Sequence, residues 1–233
     1  MNTYIYLYVI NLKIYLMKKF NVILLFSLIS LIIFCSNVNS SIFRIEPNCK
    51  VEDKSQLKDG DIIFHTSQSS QSKMLQLATS SELTHVGIIF IKNGKPYVFE
   101  AVQPVKITSF DSFVSRGLNS NYKILRPKTP LTKDQIKKGI DYSKLQIGKN
   151  YDLKFQWDDK KIYCSELVWK IYKHMGVELC EPNTFANFNL DDPIVRLAIK
   201  KRYGNQKFDL NELVVAPSDI YESDLLTTIY NTY

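Results

Sequence analysis

Two β-rich runs, Val86 to Ile91 and Tyr97 to Val102, are joined through Lys92-Asn93-Gly94-Lys95, and this stretch constrains the fold more tightly than any other. Asn-Gly is the favoured central pair of a two-residue type I′ turn, whose twist matches that of the strands it joins. Pairing Lys92 with Lys95 and continuing outward sets Gly87 against Glu100 and His85 against Val102. Opposed residues project to one face and side chains alternate along each strand, so these four share a face. His85 and Glu100 are then diagonal neighbours about 7–8 Å apart at Cα, a gap that two medium side chains can close to a hydrogen bond. Glycine opposite the glutamate leaves room for them to meet. A carboxylate on an imidazole fixes its tautomer and raises its basicity, as a base that activates a nucleophile requires. A buried pair kept for structure is the plainer alternative. Burying two polar groups on an otherwise apolar hairpin is costly, which tips the reading toward catalysis.

A second pattern begins at Cys164. The large apolar residues Leu167, Val168, Ile171, Tyr172 and Met175 form the stripe of an amphipathic helix that ends at Gly176. Cys164 sits in its first turn, where unpaired N–H groups and the positive dipole end favour an anion and push a thiol toward the nucleophilic thiolate. On this helix alone, a cysteine that merely begins the buried stripe is the commoner case.

Residues 1–40 read as a leader. Met17-Lys18-Lys19 opens a basic segment, and Val22 to Cys35 is a mostly apolar run too short to span a bilayer comfortably. Val38-Asn39-Ser40 then supplies small residues for cleavage. The expectation is an exported protein, periplasmic or secreted, with its true start at Met17 and its mature start at Ser41. Lipid anchoring at Cys35 is the alternative, disfavoured by the bulk of Phe34 before it.

Without the leader, 193 of the 233 residues remain, enough for one domain with a proper core. The formal charge falls from +7 to +4, and no basic stripe is interleaved with aromatics, which argues against nucleic acid. A weak preference for anionic polymers or a membrane surface would fit. Three cysteines remain, Cys49, Cys164 and Cys180, so an exported protein keeps at least one thiol unpaired; Cys49–Cys180 with Cys164 free is the pairing to test. With three histidines and no HExxH or CxxC motif, no metal and no cofactor is expected. Oligomeric state is not legible.

The rest of the chain reads as a mixture. Ile62 to Phe64 is a short buried strand after the Asp59-Gly60 turn, and Val105 to Thr108 and Tyr122 to Leu125 are further strands. Helices are expected over Ser72 to Thr79, Phe110 to Arg116, Thr132 to Leu145 with a Thr cap, and Ile194 to Lys201, with another starting at Pro217. Gly148 to Tyr163 is a polar-aromatic loop, and Val177 to Leu179 and Leu213 to Ala216 are short strands. This is an α+β domain. His65 and His174 read as solvated or locally satisfied, and the helix dipole accounts for Glu166. Tyr151 could bring a hydroxyl to the site; a packed loop tyrosine explains it equally well.

Taken in order, Leu57-Lys58-Asp59-Gly60-Asp61-Ile62-Ile63-Phe64, Thr84-His85-Val86-Gly87-Ile88, Val98-Phe99-Glu100-Ala101, Asn150-Tyr151-Asp152, Tyr163-Cys164-Ser165-Glu166-Leu167-Val168 and Val215-Ala216-Pro217-Ser218-Asp219 resemble the circularly permuted NlpC-type papain-like enzymes of the YiiX/YaeF group. The resemblance runs from about Leu57 to Ser223. Papain-like enzymes place cysteine before histidine; the permuted group places histidine first, as here. The resemblance implies a permuted papain-like fold, with a small antiparallel sheet packed on the cysteine helix. It also implies Cys164 as nucleophile, His85 as base and Glu100 as third member.

The function expected is an exported cysteine amidase or peptidase acting without a cofactor on an amide bond, with a cell-wall (peptidoglycan) peptide as the substrate that export suggests. A lipid acyltransferase or thioesterase would use the same three residues and differ by a long apolar groove beside Cys164. A non-catalytic ligand-binding module is the third reading; His85-dependent labelling by a thiol probe would separate it from both enzymes.

Overall fold

A computed structural model describes residues 54–233. The expected leader, the Cys35 option and the pairing of Cys49 lie outside the described residues.

Six antiparallel strands form the main sheet: β1 (Ile62–His65), β2 (His85–Lys92), β3 (Lys95–Glu100), β4 (Lys106–Ser109), β5 (Lys123–Pro127) and β8 (Leu226–Asn231), in the order β4-β3-β2-β1-β5-β8. The turn residues Asn93 and Gly94 both have positive φ, 52° and 70°, as a type I′ turn requires. Lys92 pairs with Lys95 and Ile88 with Phe99, the register expected from the turn. The helices are α1 (Ser72–Thr79), α2 (Phe110–Val114), α3 (Lys133–Gln146), α4 (Cys164–His174), α5 (Pro193–Tyr203) and α6 (Pro217–Tyr221). A two-stranded ribbon, β6 (Asn183–Thr184) with β7 (Leu213–Val214), completes the α+β architecture.

Both faces of the central strands are covered, which is why Ile62-Ile63-Phe64 reads as an unbroken apolar run rather than an alternating one. On one face Ile62, Phe64, Val86, Ile88 and Phe99 pack on Leu167, Val168, Ile171 and Tyr172 of α4. On the other, Ile63, Ile89, Val98 and Ile124 pack on Phe110 and Phe113 of α2. Ile62, Ile88, Leu167 and Ile171 are fully buried, each contributing about 2 kcal/mol of transfer free energy. Thr132 caps α3 through a reciprocal bond pair with Gln135, and Gly176 at φ 78° ends α4 as expected.

Three local expectations change. Val177 to Leu179 is not a strand; the chain leaves α4 without a sheet partner there. Leu213 to Ala216 shortens to β7, because β6 offers only two residues to pair with. Strand β8 was not expected; it is made by pairing with the edge of β5, where a register shift falls between Ile124 and Leu125.

Candidate active site

The site forms where the N-terminus of α4 meets the start of β2. Helix α4 is anchored by its stripe. Its first turn is fixed by Tyr163, an extended N-cap whose backbone N–H donates to the Glu166 carboxylate at 3.3 Å. Cys164, at 3% exposure, is thereby held against His85. Across the hairpin, His85 Nε2 lies 2.7 Å from Glu100 Oε2, so the register does bring the pair together. With Nε2 on the carboxylate, Nδ1 is the ring nitrogen left for the thiol, with which His85 hydrogen-bonds.

Glu100 is fully buried and does more than orient the imidazole. Its second oxygen accepts from Arg116 Nη2 and from Thr108 Oγ1, each at 2.5 Å. Burial pushes this carboxyl up, but the hydrogen bond and charge of His85, with Arg116 and Thr108, outweigh it and hold the group at about 2. For His85, burial acts downward and is overcome by its bonds and charges to Cys164 and Glu100, which raise it to about 9. Burial likewise pushes the Cys164 thiol up, and the bond and charge of His85, the Val86 N–H and the Tyr151 hydroxyl bring it below its ordinary value. The arrangement favours the thiolate form of Cys164 beside a protonated His85, with the Glu100 carboxylate behind.

Tyr151 belongs to the site as well. Its hydroxyl is 4.0 Å from Cys164 Sγ and accepts from Gln71 Nε2 at 3.2 Å. Burial and the nearby thiolate keep its proton on well above the usual tyrosine range, so it is a donor here.

Other expectations need correction. His65 is not solvated: at 1% exposure it stacks on Phe113 with ring centroids 4.5 Å apart, beside His85 at 5.2 Å, and its Nδ1 has no partner. Burial first, then the charges of His85 and Arg116, drive it down to about 2, so it is neutral. The space at Gly87 is not left open for the His85–Glu100 pair; a Cβ there would meet Val98 Cγ1 at 2.4 Å and Phe113 Cε2 at 3.2 Å. Glu166 is more than a dipole partner, being fully buried with Lys170 Nζ at 2.7 Å, and burial raises it to about 7 despite that lysine. His174 is exposed and locally satisfied, with Nδ1 2.8 Å from the Lys170 carbonyl.

Arg116, Thr108 and Gln71 escaped the reading of the sequence. Thr108 was within reach: β4 pairs Glu100 with Lys106, which puts Thr108 diagonally beside Glu100 on the same face. Nothing local ties Arg116 or Gln71 to the site.

Two cavities meet at this centre. One, on the Cys164 side, is a narrow apolar slot of about 70 Å³, walled by Met74, Ala78, Phe155, Phe188, Val195 and Ile199 among others. The other is an open cleft of about 660 Å³ beside His85, lined by Ser67, Gln68, Ser69, Gln103 and Arg116. Tyr151 and Leu153 line both.

A small antiparallel sheet on a cysteine helix, with histidine and glutamate preceding the cysteine in the chain, is the arrangement of the permuted papain-like cysteine enzymes. The chain belongs to that family: residues 56–230 match the family described as permuted papain-like amidase enzyme, YaeF/YiiX, C92 family. It is therefore a cysteine amidase- or peptidase-type hydrolase. It is 41% identical over 175 residues to the uncharacterized protein YiiX of Escherichia coli (strain K12), covering 75% of this chain and 86% of that one. It also matches the crystal structure described as metalloprotein yiiX from Escherichia coli O157:H7, with a TM-score of 0.73 and 40% identity over 76% of this chain and 99% of that one.

Proposed function

We propose that the protein hydrolyses an amide whose acyl side is long and apolar, using Cys164, His85 and Glu100. The observation that carries this reading is the placement of the narrow apolar slot on the sulfur side and of the wider, open cleft, with its Ser, Gln and Arg side chains, on the imidazole side. An acyl chain fills the first, and the amine to be released faces the second.

The Cys164 thiolate attacks the carbonyl carbon, and the π pair moves onto oxygen. Free N–H groups of the first turn of α4 stabilise that oxyanion, with the Tyr151 hydroxyl as a further donor. The tetrahedral centre collapses, the C–N bond breaks, and His85 Nδ1 gives its proton to the departing nitrogen. Neutral His85 next takes a proton from water as the water oxygen attacks the thioester. The C–S bond breaks, releasing the carboxylic acid and restoring the thiolate–imidazolium pair. Glu100 stays ionised throughout and compensates the imidazolium.

Among the described residues no group of three or more His, Cys, Asp or Glu side chains is placed to hold a metal ion, so no step is routed through one. The apolar slot also favours a second reading, transfer or hydrolysis of a lipid ester or thioester, since the acyl chain would sit identically. Turnover of the purified protein on long-chain N-acyl amides, the corresponding esters and cell-wall peptides, side by side, tests the proposal. It requires the long-chain amide to be hydrolysed fastest, and preferred cleavage of a polar cell-wall peptide would overturn it.

A further inference from the structure

Gln71 occupies the N-cap of α1, a position favouring Ser, Thr, Asp or Asn because a short side chain there can accept from the first turn. Gln71 makes no such bond; its amide is turned toward the site. Its Nε2 lies 3.2 Å from Tyr151 Oη and its Oε1 lies 3.2 Å from Arg202 Nη2, on α5. A guanidinium can only donate, so the amide must present its oxygen to Arg202 and its NH2 to Tyr151. The Tyr151 oxygen thus receives a proton donor, and its own O–H turns to the remaining neighbour, Cys164 Sγ at 4.0 Å.

We propose that Gln71 and Arg202 are positioning residues that aim the Tyr151 hydroxyl at the Cys164 sulfur. Arg202, whose guanidinium also lies 5.1 Å over the Phe155 ring, sets the direction of the whole chain: Arg202 to Gln71 to Tyr151 to Cys164. Helices α1 and α5, which carry Gln71 and Arg202, also wall the apolar slot, so the elements that seat the acyl group are those that direct the hydroxyl. The titratable groups around Sγ are His85 from β2, Tyr151 from the loop and Tyr163 at the head of α4. Glu100 lies behind His85, and Arg202 behind Tyr151. The inference rests on Cys164 being the reactive thiol of the proposed function.

The test is the rate of Cys164 alkylation by iodoacetamide against pH, read by peptide mapping so that Cys180 is counted separately, with melting curves to check folding. Gln71→Glu is nearly isosteric but offers two acceptors and no donor, so Tyr151 donates to it instead of to sulfur. The alkylation midpoint of Cys164 then rises by about one pH unit, about a tenfold loss of thiolate below the midpoint. Tyr151→Phe raises it similarly, and Gln71→Glu added to Tyr151→Phe raises it no further. Arg202→Met, which frees the amide to flip, raises it, and Arg202→Lys, which keeps a donor, largely restores it. An unchanged midpoint in Gln71→Glu overturns the proposal. So does an equal rise in the Tyr151→Phe background, which would be the new charge acting through space. Because alkylation needs no substrate, failure of the relay leaves the amidase reading intact, and failure to find a cleaved amide leaves the relay intact.

Discussion

The rings of His65 and His85 lie 5.2 Å apart on paired strands, one held neutral and the other charged. Two imidazolium ions at that distance would repel, and burial removes the water that could screen them. His65 is the one that gives way, down to about 2, while the thiolate and Glu100 carry His85 up to about 9.

This split makes the fold acid-labile through His65. Its folded value lies below the ordinary 6.5, so the unfolded chain binds the extra proton and stability rises with pH between those limits. The His65 contribution to the unfolding free energy should fall by about 1.4 kcal/mol per pH unit below pH 6. It is opposed in the total by Glu166, whose raised folded value makes the folded state the one that holds the proton over that window. Denaturant melts of wild type and His65→Gln check it: the difference in stability between them, in which Glu166 cancels, should change with this slope between pH 6 and 5, and a difference that does not vary with pH would contradict it.

Glu100→Gln is expected to be severe. From the hairpin alone the change looks mild, because an amide still accepts a bond from the ring. Arg116 and Thr108 on the second oxygen change that expectation, since the buried carboxylate compensates two cations. Removing its charge should cost about 2–3 kcal/mol of stability, toward the lower end for a broken ion pair because Arg116 is partly exposed. It should also lower the His85 value. Urea melts and the pH profile of turnover read the two effects.

Turnover against pH should be bell-shaped. Leaving-group protonation needs the imidazolium, which is lost as pH rises through about 9. Attack needs the thiolate, so the acid limb should lie below the ordinary thiol range. A profile that still climbs at pH 10 would contradict the assigned roles.

Gly87→Ala should destabilise by about 1–3 kcal/mol, because the added Cβ meets the Phe99 carbonyl oxygen at 3.0 Å as well as Val98 and Phe113. A glycine in a central strand is otherwise a liability, so a stabilised variant in thermal melts would refute this reading of its contacts.

Local signals made the hairpin, its register, α4 and the meeting of His85 with Glu100 legible, because a two-residue turn and a helical stripe each fix geometry over a few residues. Tyr151 was visible as a candidate in the loop before Cys164. Arg116 and Gln71 were not, because their partners are chosen by packing: Arg116 reaches Glu100 on β3 from the turn after α2, and Gln71 reaches Tyr151 from the N-cap of α1. Burial of His65 was hidden for a related reason. A histidine at a strand end looks solvated until Phe113, 48 residues on, covers it. Strand β8 depends on an edge of β5 that only the folded sheet provides.

The central claim is that Cys164 is acylated during turnover. The most direct measurement is acid quench of the protein mixed with a long-chain N-acyl anilide, followed by peptide mass mapping and by turnover of Cys164→Ala. The account predicts an acyl mass on the Cys164 peptide of wild type. It predicts no turnover in Cys164→Ala, whose stability should fall by only about 1 kcal/mol. Wild-type turnover by Cys164→Ala, or an acyl group found on Cys180 instead, would contradict it.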